Sequence, residues 1–249
     1  MSGLLLHCGA EKVGYGEVIN TKTPRATSTW TPIAHEQVID GIKQQLETRG
    51  IETLSEEHSL SHGGDRYFGL MQIARKGRQD VVSNSDYGLT IGIRNSHDKT
   101  FPVGLAVGSR VFVCDNLSFS GEINVVRKHT RWVRRDLPAL MCNAVAQITA
   151  KAKSQHERFQ AYKMQELKDA MAHHLIIQML RAQAITSSQV EKIVNEWYEP
   201  SHEDFNERNV WSLFNAVTEV AKGKANPHTM LKRSQRLHGV CDLAAGIAL

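Results

Sequence analysis

The spacing of apolar residues changes once along this chain, close to Pro138. Ahead of it the pattern is that of strands with one early helix. Met1–Trp30 has no clear period and is rich in Gly, Thr and Ser, so residues 1–30 are expected to form an extended arm. Thr31-Pro32 then predicts a helix start, because proline suits a first helical turn. Val38, Ile39, Ile42 and Leu46 fall on one helical stripe, and Gly50 supplies a stop. Strands are predicted over Glu52–Ser59 and Arg66–Arg75, joined by a turn at His62-Gly63-Gly64-Asp65. Gly77–Ser85 is polar and reads as a loop. Tyr87–Asn95 alternates, with Leu89, Ile91 and Ile93 on one face, and Ser96-His97-Asp98-Lys99 reads as a turn. Further strands are predicted at Phe101–Val107 and Arg110–Cys114. Gly88, Gly92, Gly104 and Gly108 punctuate this region, as glycines do at bulges or close backbone approaches.

Beyond Pro138 the period is helical. Leu140, Met141, Ala144, Val145, Ile148 and Ala152 form a stripe that can extend through Phe159 and Tyr162. Further helices are expected from Leu167 to Ala182, from Ser188 (with Glu191 at capping-box spacing) to Trp197, and from Glu207 to Ala221. The tail from Lys222 is basic and then apolar. Strands followed by helices imply an α+β fold. An antiparallel sheet with a helix (31–137) is expected to pack with a helical region (138–249) as one compact unit.

Composition adds bounds. The 249 residues suffice for a substantial core, and 41% hydrophobic with 22% charged residues is ordinary for a globular chain. No apolar run approaches the roughly 20 residues that span a bilayer. Met1–Gly9 lacks the basic region and apolar length of a signal peptide, so a cytoplasmic location without membrane partners is expected. Cys8, Cys114, Cys142 and Cys241 are scattered and read as free thiols, with no zinc-type spacing. The net charge is +4. From Val126 onward there are 18 Lys/Arg against 12 Asp/Glu, and the front half carries 12 against 14. That polarity suits an anionic partner.

The densest polar groups are Arg94-Asn95-Ser96-His97-Asp98 and Arg110-Val111-Phe112-Val113-Cys114-Asp115-Asn116. Asn-Ser-His-Asp, an apolar strand and then Arg-Val-x-x-Cys-x-Asn resembles the phage- and plasmid-borne family known as Domain of Unknown Function 932. Thr31-Pro32-Ile33-Ala34-His35 and Asn209-Val210-Trp211-Ser212-Leu213-Phe214-Asn215-Ala216-Val217-Thr218 are similar to that family as well. Lys99 stands where the pattern has glycine. The resemblance implies residence on mobile elements in a bacterial or phage cytoplasm, singles out Asn95, Ser96, His97, Asp98, Arg110, Cys114 and Asn116, and implies no particular activity.

The residues themselves support three readings. The first is sequence-tolerant DNA binding, foremost single-stranded, in recombination, replication or maintenance of a mobile element. Arg127, Lys128, Arg131, Arg134 and Arg135 place five fixed cations in nine positions around Trp132. Cations meet phosphates, and an aromatic ring can stack on a base. Lys222, Lys224, Lys232, Arg233 and Arg236 add charge in the tail. The competing account is a solvated basic loop ahead of the Pro138 helix. A second reading is phosphodiester cleavage, with Asp98, Asp115 and Glu122 around Mg²⁺ or Mn²⁺, His97 nearby and Arg94 on a phosphate. Against it, Asp and Asn commonly cap turns, and Arg94 could simply pair with Asp98. No cofactor is required under the first reading. A thiol enzyme pairing Cys114 with His97 is the thinnest option. A non-catalytic, self-assembling homo-oligomer is the remaining alternative, since strands and an apolar tail need cover. His173-His174 are adjacent on a helix and do not face one another. Trp197, Tyr198, Trp211, Met164, Met171 and Met179 read as core, and His35 as local packing or hydrogen bonding.

Overall fold

A computed structural model describes residues 10–75, 87–111, 117–118, 124–221 and 227–247. Among these, seven strands form one antiparallel sheet: β1 (Glu11–Val13), β2 (Ile51–Ser61), β3 (Arg66–Arg75), β4 (Tyr87–Ser96), β5 (Val103–Val111), β6 (Leu117–Ser118) and β7 (Asn124–Arg127). The order runs β1-β2-β3-β4-β5, and both β6 and β7 pair with β5. The helices are α1 (Tyr15–Ile19), α2 (His35–Glu47), α3 (Val133–Met164), α4 (Asp169–Arg181), α5 (Ser187–Tyr198), α6 (Val210–Ala221) and α7 (Pro227–Ala244). The α+β expectation holds, with the sheet in the first half and most helices in the second.

Alternation explains the sheet. Leu89, Ile91 and Ile93 of β4, and Val103, Leu105 and Val107 of β5, are buried on the face that meets Val38, Ile39, Ile42 and Leu46 of α2. Leu137, Met141, Val145 and Ile148 of α3 close the same core. Phe159 and Tyr162, later on α3, belong instead to a second core with Ile176, Met179, Ile193, Trp197, Trp211 and Phe214. The 32-residue α3, about 48 Å long at 1.5 Å per residue, therefore joins the two cores.

Several elements depart from expectation for physical reasons. The first helix begins at His35 rather than at Thr31-Pro32. Residues 31–34 stay extended because their backbone groups are bonded elsewhere: Thr31 N–H donates to the His129 carbonyl, and the Ile33 carbonyl accepts two side-chain bonds. Strands Phe101–Val107 and Arg110–Cys114 were expected apart, but β5 runs unbroken from Val103 to Val111. α3 starts at Val133, five residues before Pro138, so Arg134 and Arg135 stand on a helix and not in a loop. The capping box of α5 is Thr186 with Gln189, two residues ahead of the Ser188–Glu191 pair. The arm contains β1 and α1, and the tail contains α7, none of which the periodicity revealed. Met164 and Met171 are exposed, at 83% and 51%, and only Met179 is core. Gly77–Ser85 and Phe112–Asn116 lie outside the described residues.

One glycine is indispensable. Tyr67 folds over Gly69, its neighbour two along β3, and a Cβ at Gly69 would lie 2.0 Å from the Tyr67 hydroxyl oxygen and 2.7 Å from Cζ. Tyr67 is fully buried, stacked on His35 and hydrogen-bonded to His58 Nδ1 at 2.9 Å. Gly69→Ala is expected to cost about 3 kcal/mol, the upper part of the overpacking range, as read by urea denaturation. An unchanged midpoint would show that the Tyr67 ring moves aside freely.

Candidate nucleic-acid interface and the buried polar cluster behind it

Two of the resemblance motifs meet inside the molecule. Asn95 and His97 project from the end of β4 toward Ile33 and His35, at the entrance to α2. The Asn95 amide donates to the Ile33 carbonyl at 2.8 Å and to His35 Nδ1 at 2.9 Å. His35 Nε2–H donates to the Gly64 carbonyl at 2.9 Å, and His97 Nε2–H donates to the Ile33 carbonyl at 2.9 Å. The two imidazoles stack with centroids 3.9 Å apart and planes 8° from parallel. Accepting from Asn95 at Nδ1 while donating at Nε2 requires a neutral His35. Burial foremost, then the neighbouring His97, holds His35 at about 4, well below the ordinary 6.5. His129 is also pushed down by burial. Asn95, His97 and His129 are 0%, 4% and 6% exposed. The Asn95 Oδ1, the His97 Nδ1 and both His129 ring nitrogens have no hydrogen-bond partner among the described residues.

The rest of the motif shapes a turn. The Ser96 hydroxyl donates to the Phe101 carbonyl at 2.7 Å and accepts from Phe101 N–H at 3.2 Å. Asp98 accepts from Thr100 N–H at 3.0 Å and from Arg66 Nε at 2.6 Å. Burial opposes ionisation of Asp98, but the Thr100 hydrogen bonds and Arg66 outweigh it and hold the carboxyl at about 2. Its partner is thus Arg66 and not Arg94. Arg94 lies 5.7 Å over the Phe101 ring and packs on Gly104, with its pKa lowered by burial. Lys99 sits at φ 65°, where glycine is unstrained, which gives the glycine of the family pattern a physical reason.

Arg110, in the described part of the second polar segment, does not join this end. β4 and β5 pair with Arg94 opposite Gly104 and Gly88 opposite Arg110. Arg110 is therefore about 24 Å from Asn95 along the strand, at roughly 3.4 Å per residue. Cys114, Asp115, Asn116 and Glu122 lie outside the described residues, and so does the expected convergence of Asp98, Asp115 and Glu122. Among the described residues no group of three or more His, Cys, Asp or Glu is arranged to hold a metal ion. His173 bonds Tyr198, and His174 bonds Gln178.

The basic segment comes to the surface beside the cluster. Trp132 is 46% exposed, with the guanidinium carbons of Arg131 and Arg135 each 4.7 Å from its ring centroid. Arg127 and Arg135 both pair with Asp136, at 2.6 and 2.8 Å. Those hydrogen bonds, Arg135's foremost, hold the Asp136 carboxyl below its ordinary range. Lys128 and Arg131 make no ion pair among the described residues, and Arg134 only approaches the Pro32 carbonyl at 3.5 Å. An open cleft of about 440 Å³ is lined by Ser28, Thr29, Arg127, Thr130, Arg131 and Trp132. Of the tail cations, Arg233 bonds the Ala184 carbonyl and Gln189, Arg236 bonds the Gln183 carbonyl, and Lys232 is exposed. Lys222 and Lys224 lie outside the described residues.

Residues 25–240 match the family described as Domain of unknown function (DUF932). The chain belongs to that family. Comparison with curated proteins and with solved structures finds no match. The match takes in both meeting motifs of this DUF932 chain, its exposed tryptophan and all but the last few residues of α7. Sequence reasoning placed Trp132 and its cations but missed Ser28, Thr29, Trp30 and His129. Only the Thr31–His35 motif pointed to that segment, and nothing in the sequence ties it to His129. No helix among the described residues is long and apolar enough to cross a membrane.

Proposed function

We propose that this DUF932 protein binds single-stranded nucleic acid, DNA foremost, without strong sequence preference. The setting in this reading is recombination, replication or maintenance of a mobile element; the family resemblance implies residence on such elements and no particular activity. The reading is carried by one observation: an exposed indole accompanied by two guanidinium groups, lining a cleft with hydroxyl-bearing residues. Every base has a π-face, so a ring of this kind stacks without reading sequence. Arg131, Lys128 and Arg134 supply positive charge beside it, and Ser28, Thr29 and Thr130 supply donors suited to phosphate oxygens. Asp136 offsets Arg127 and Arg135, so affinity rests on the other three cations and on the ring.

Trp132→Ala is expected to weaken binding of a labelled oligo(dT) by about 1–3 kcal/mol, roughly 5- to 150-fold, in fluorescence anisotropy at low salt. Wild-type tryptophan emission should be quenched on binding, and the variant should lose most of that quench. Equal affinity in both proteins would remove Trp132 from the interface and the reading with it.

A further inference from the structure

The face of the 27–33 segment toward solvent lines the cleft, and its inner face is tied to the buried cluster. Ser28 and Thr29 line the cleft together with Trp132. Trp30 N–H bonds the Thr27 hydroxyl at 3.1 Å, and Thr27 N–H bonds the Trp30 carbonyl at 2.8 Å, closing a tight loop around these two residues. Thr31 N–H is held at 3.0 Å by the carbonyl of His129, three residues before Trp132. The Ile33 carbonyl is gripped by both Asn95 and His97. Outside, Lys99 Nζ lies 4.9 Å over the Trp30 ring, and the Trp30 and His129 rings are 6.3 Å apart.

We infer that Asn95, His97 and His129 are positioning residues for the cleft: they fix the Thr27–Ile33 segment so that Ser28 and Thr29 stay in the cleft lining with Trp132. The inference rests on the nucleic-acid reading and assigns the paired motifs a role within it. Buried groups at this depth cannot touch a strand, yet they set the conformation of the loop that does. Ordering that loop in advance spares the bound state the entropy of fixing it. Asn95 and His97 sit two apart at the end of β4, a rigid element suited to holding one carbonyl from two directions. The Ile33 carbonyl has two lone pairs, and both are used.

The test uses the full chain with two variants. His97→Phe keeps the ring stacked on His35 and deletes the bond to Ile33. Thr27→Val deletes the Trp30 N–H acceptor at the surface and leaves the core untouched, so it serves if His97→Phe fails to fold. Amide exchange by NMR or mass spectrometry reads the segment, and oligo(dT) affinity against salt reads the cleft. The expected result is faster exchange at Thr31 and its neighbours, about tenfold weaker binding and an unchanged salt slope, because no phosphate-contacting cation is lost. A merely structural role would speed exchange and leave affinity unaltered, which overturns the inference. Unchanged exchange in the folded variants overturns it too, by removing the tie. Absence of oligonucleotide binding by the wild-type chain instead sinks the nucleic-acid reading, and exchange still reports whether the tie exists.

Discussion

Lowering the pH from 7 to 4 should remove on the order of 6 kcal/mol of stability. The sign follows from two histidines that the fold keeps neutral. His35 is held at about 4 by burial and by His97, and His238 at about 3 by burial and then Arg158, against 6.5 in an unfolded chain. Their contribution is fully present above pH 6.5. Between pH 6.5 and 4 the unfolded chain takes up protons that the folded chain refuses, so stability falls throughout that window, and His238 extends the loss toward pH 3. One histidine lies in each core. His35 accepts from Asn95 in the sheet-side cluster, and His238 Nδ1 is 3.1 Å from the Tyr162 hydroxyl, which donates to Asp242 at 2.6 Å. Asp242 also pairs with Arg158 at 3.0 Å, so a proton on His238 would put a second cation in that buried network. Urea denaturation at pH 7 and at pH 4 should show that difference in unfolding free energy. Equal unfolding free energies at the two pH values would mean that neither imidazole is as dry as described.

Asn95→Leu should lower the unfolding free energy by about 2 kcal/mol. The change keeps the branching and the number of side-chain heavy atoms but deletes both donors. It leaves His35 Nδ1 unpaired inside the protein and the Ile33 carbonyl with His97 alone. Each stranded buried group costs about 1–3 kcal/mol, and no water reaches a side chain that is 0% exposed. Asn95 Oδ1 has no partner among the described residues, so its removal returns about 1–3 kcal/mol of that cost. Chemical denaturation at pH 7.5 measures the loss. A change below 1 kcal/mol would show that the His35–Asn95–Ile33 connection is dispensable.

The stripes of α2 and of the later part of α3, and the alternation of β4, were legible because each buries one face against a core. What escaped was held by partners distant in sequence. α7 is basic and weakly patterned, and Arg233, His238 and Asp242 tie it to the 184–189 turn and to Tyr162. Residues 31–34 carry a helix-start signal, but tertiary bonds from His129, Asn95 and His97 override it. Thr186/Gln189 and Ser188/Glu191 have the same spacing, and only the packing of Ile185 and Gln189 favours the first. The motif residues were legible as important and illegible in role. Their polarity suggested chemistry at an open strand end, whereas the chain folds Asn95 and His97 inward and occupies Asp98 with Arg66 and Thr100. The cations around Trp132 were visible, but the screening of two of them by Asp136 was not, since Asp136 becomes their neighbour only when the helix begins at Val133.

The dependence of oligo(dT) affinity on salt probes the Trp132 surface most directly. Lys128, Arg131 and Arg134 are the cations left for phosphate, and three contacts on a single strand predict a slope of log K against log salt of about −2. A slope near that value, with weaker binding as salt rises, is the expected result. No measurable affinity at about 50 mM salt, or an affinity indifferent to salt, would contradict it.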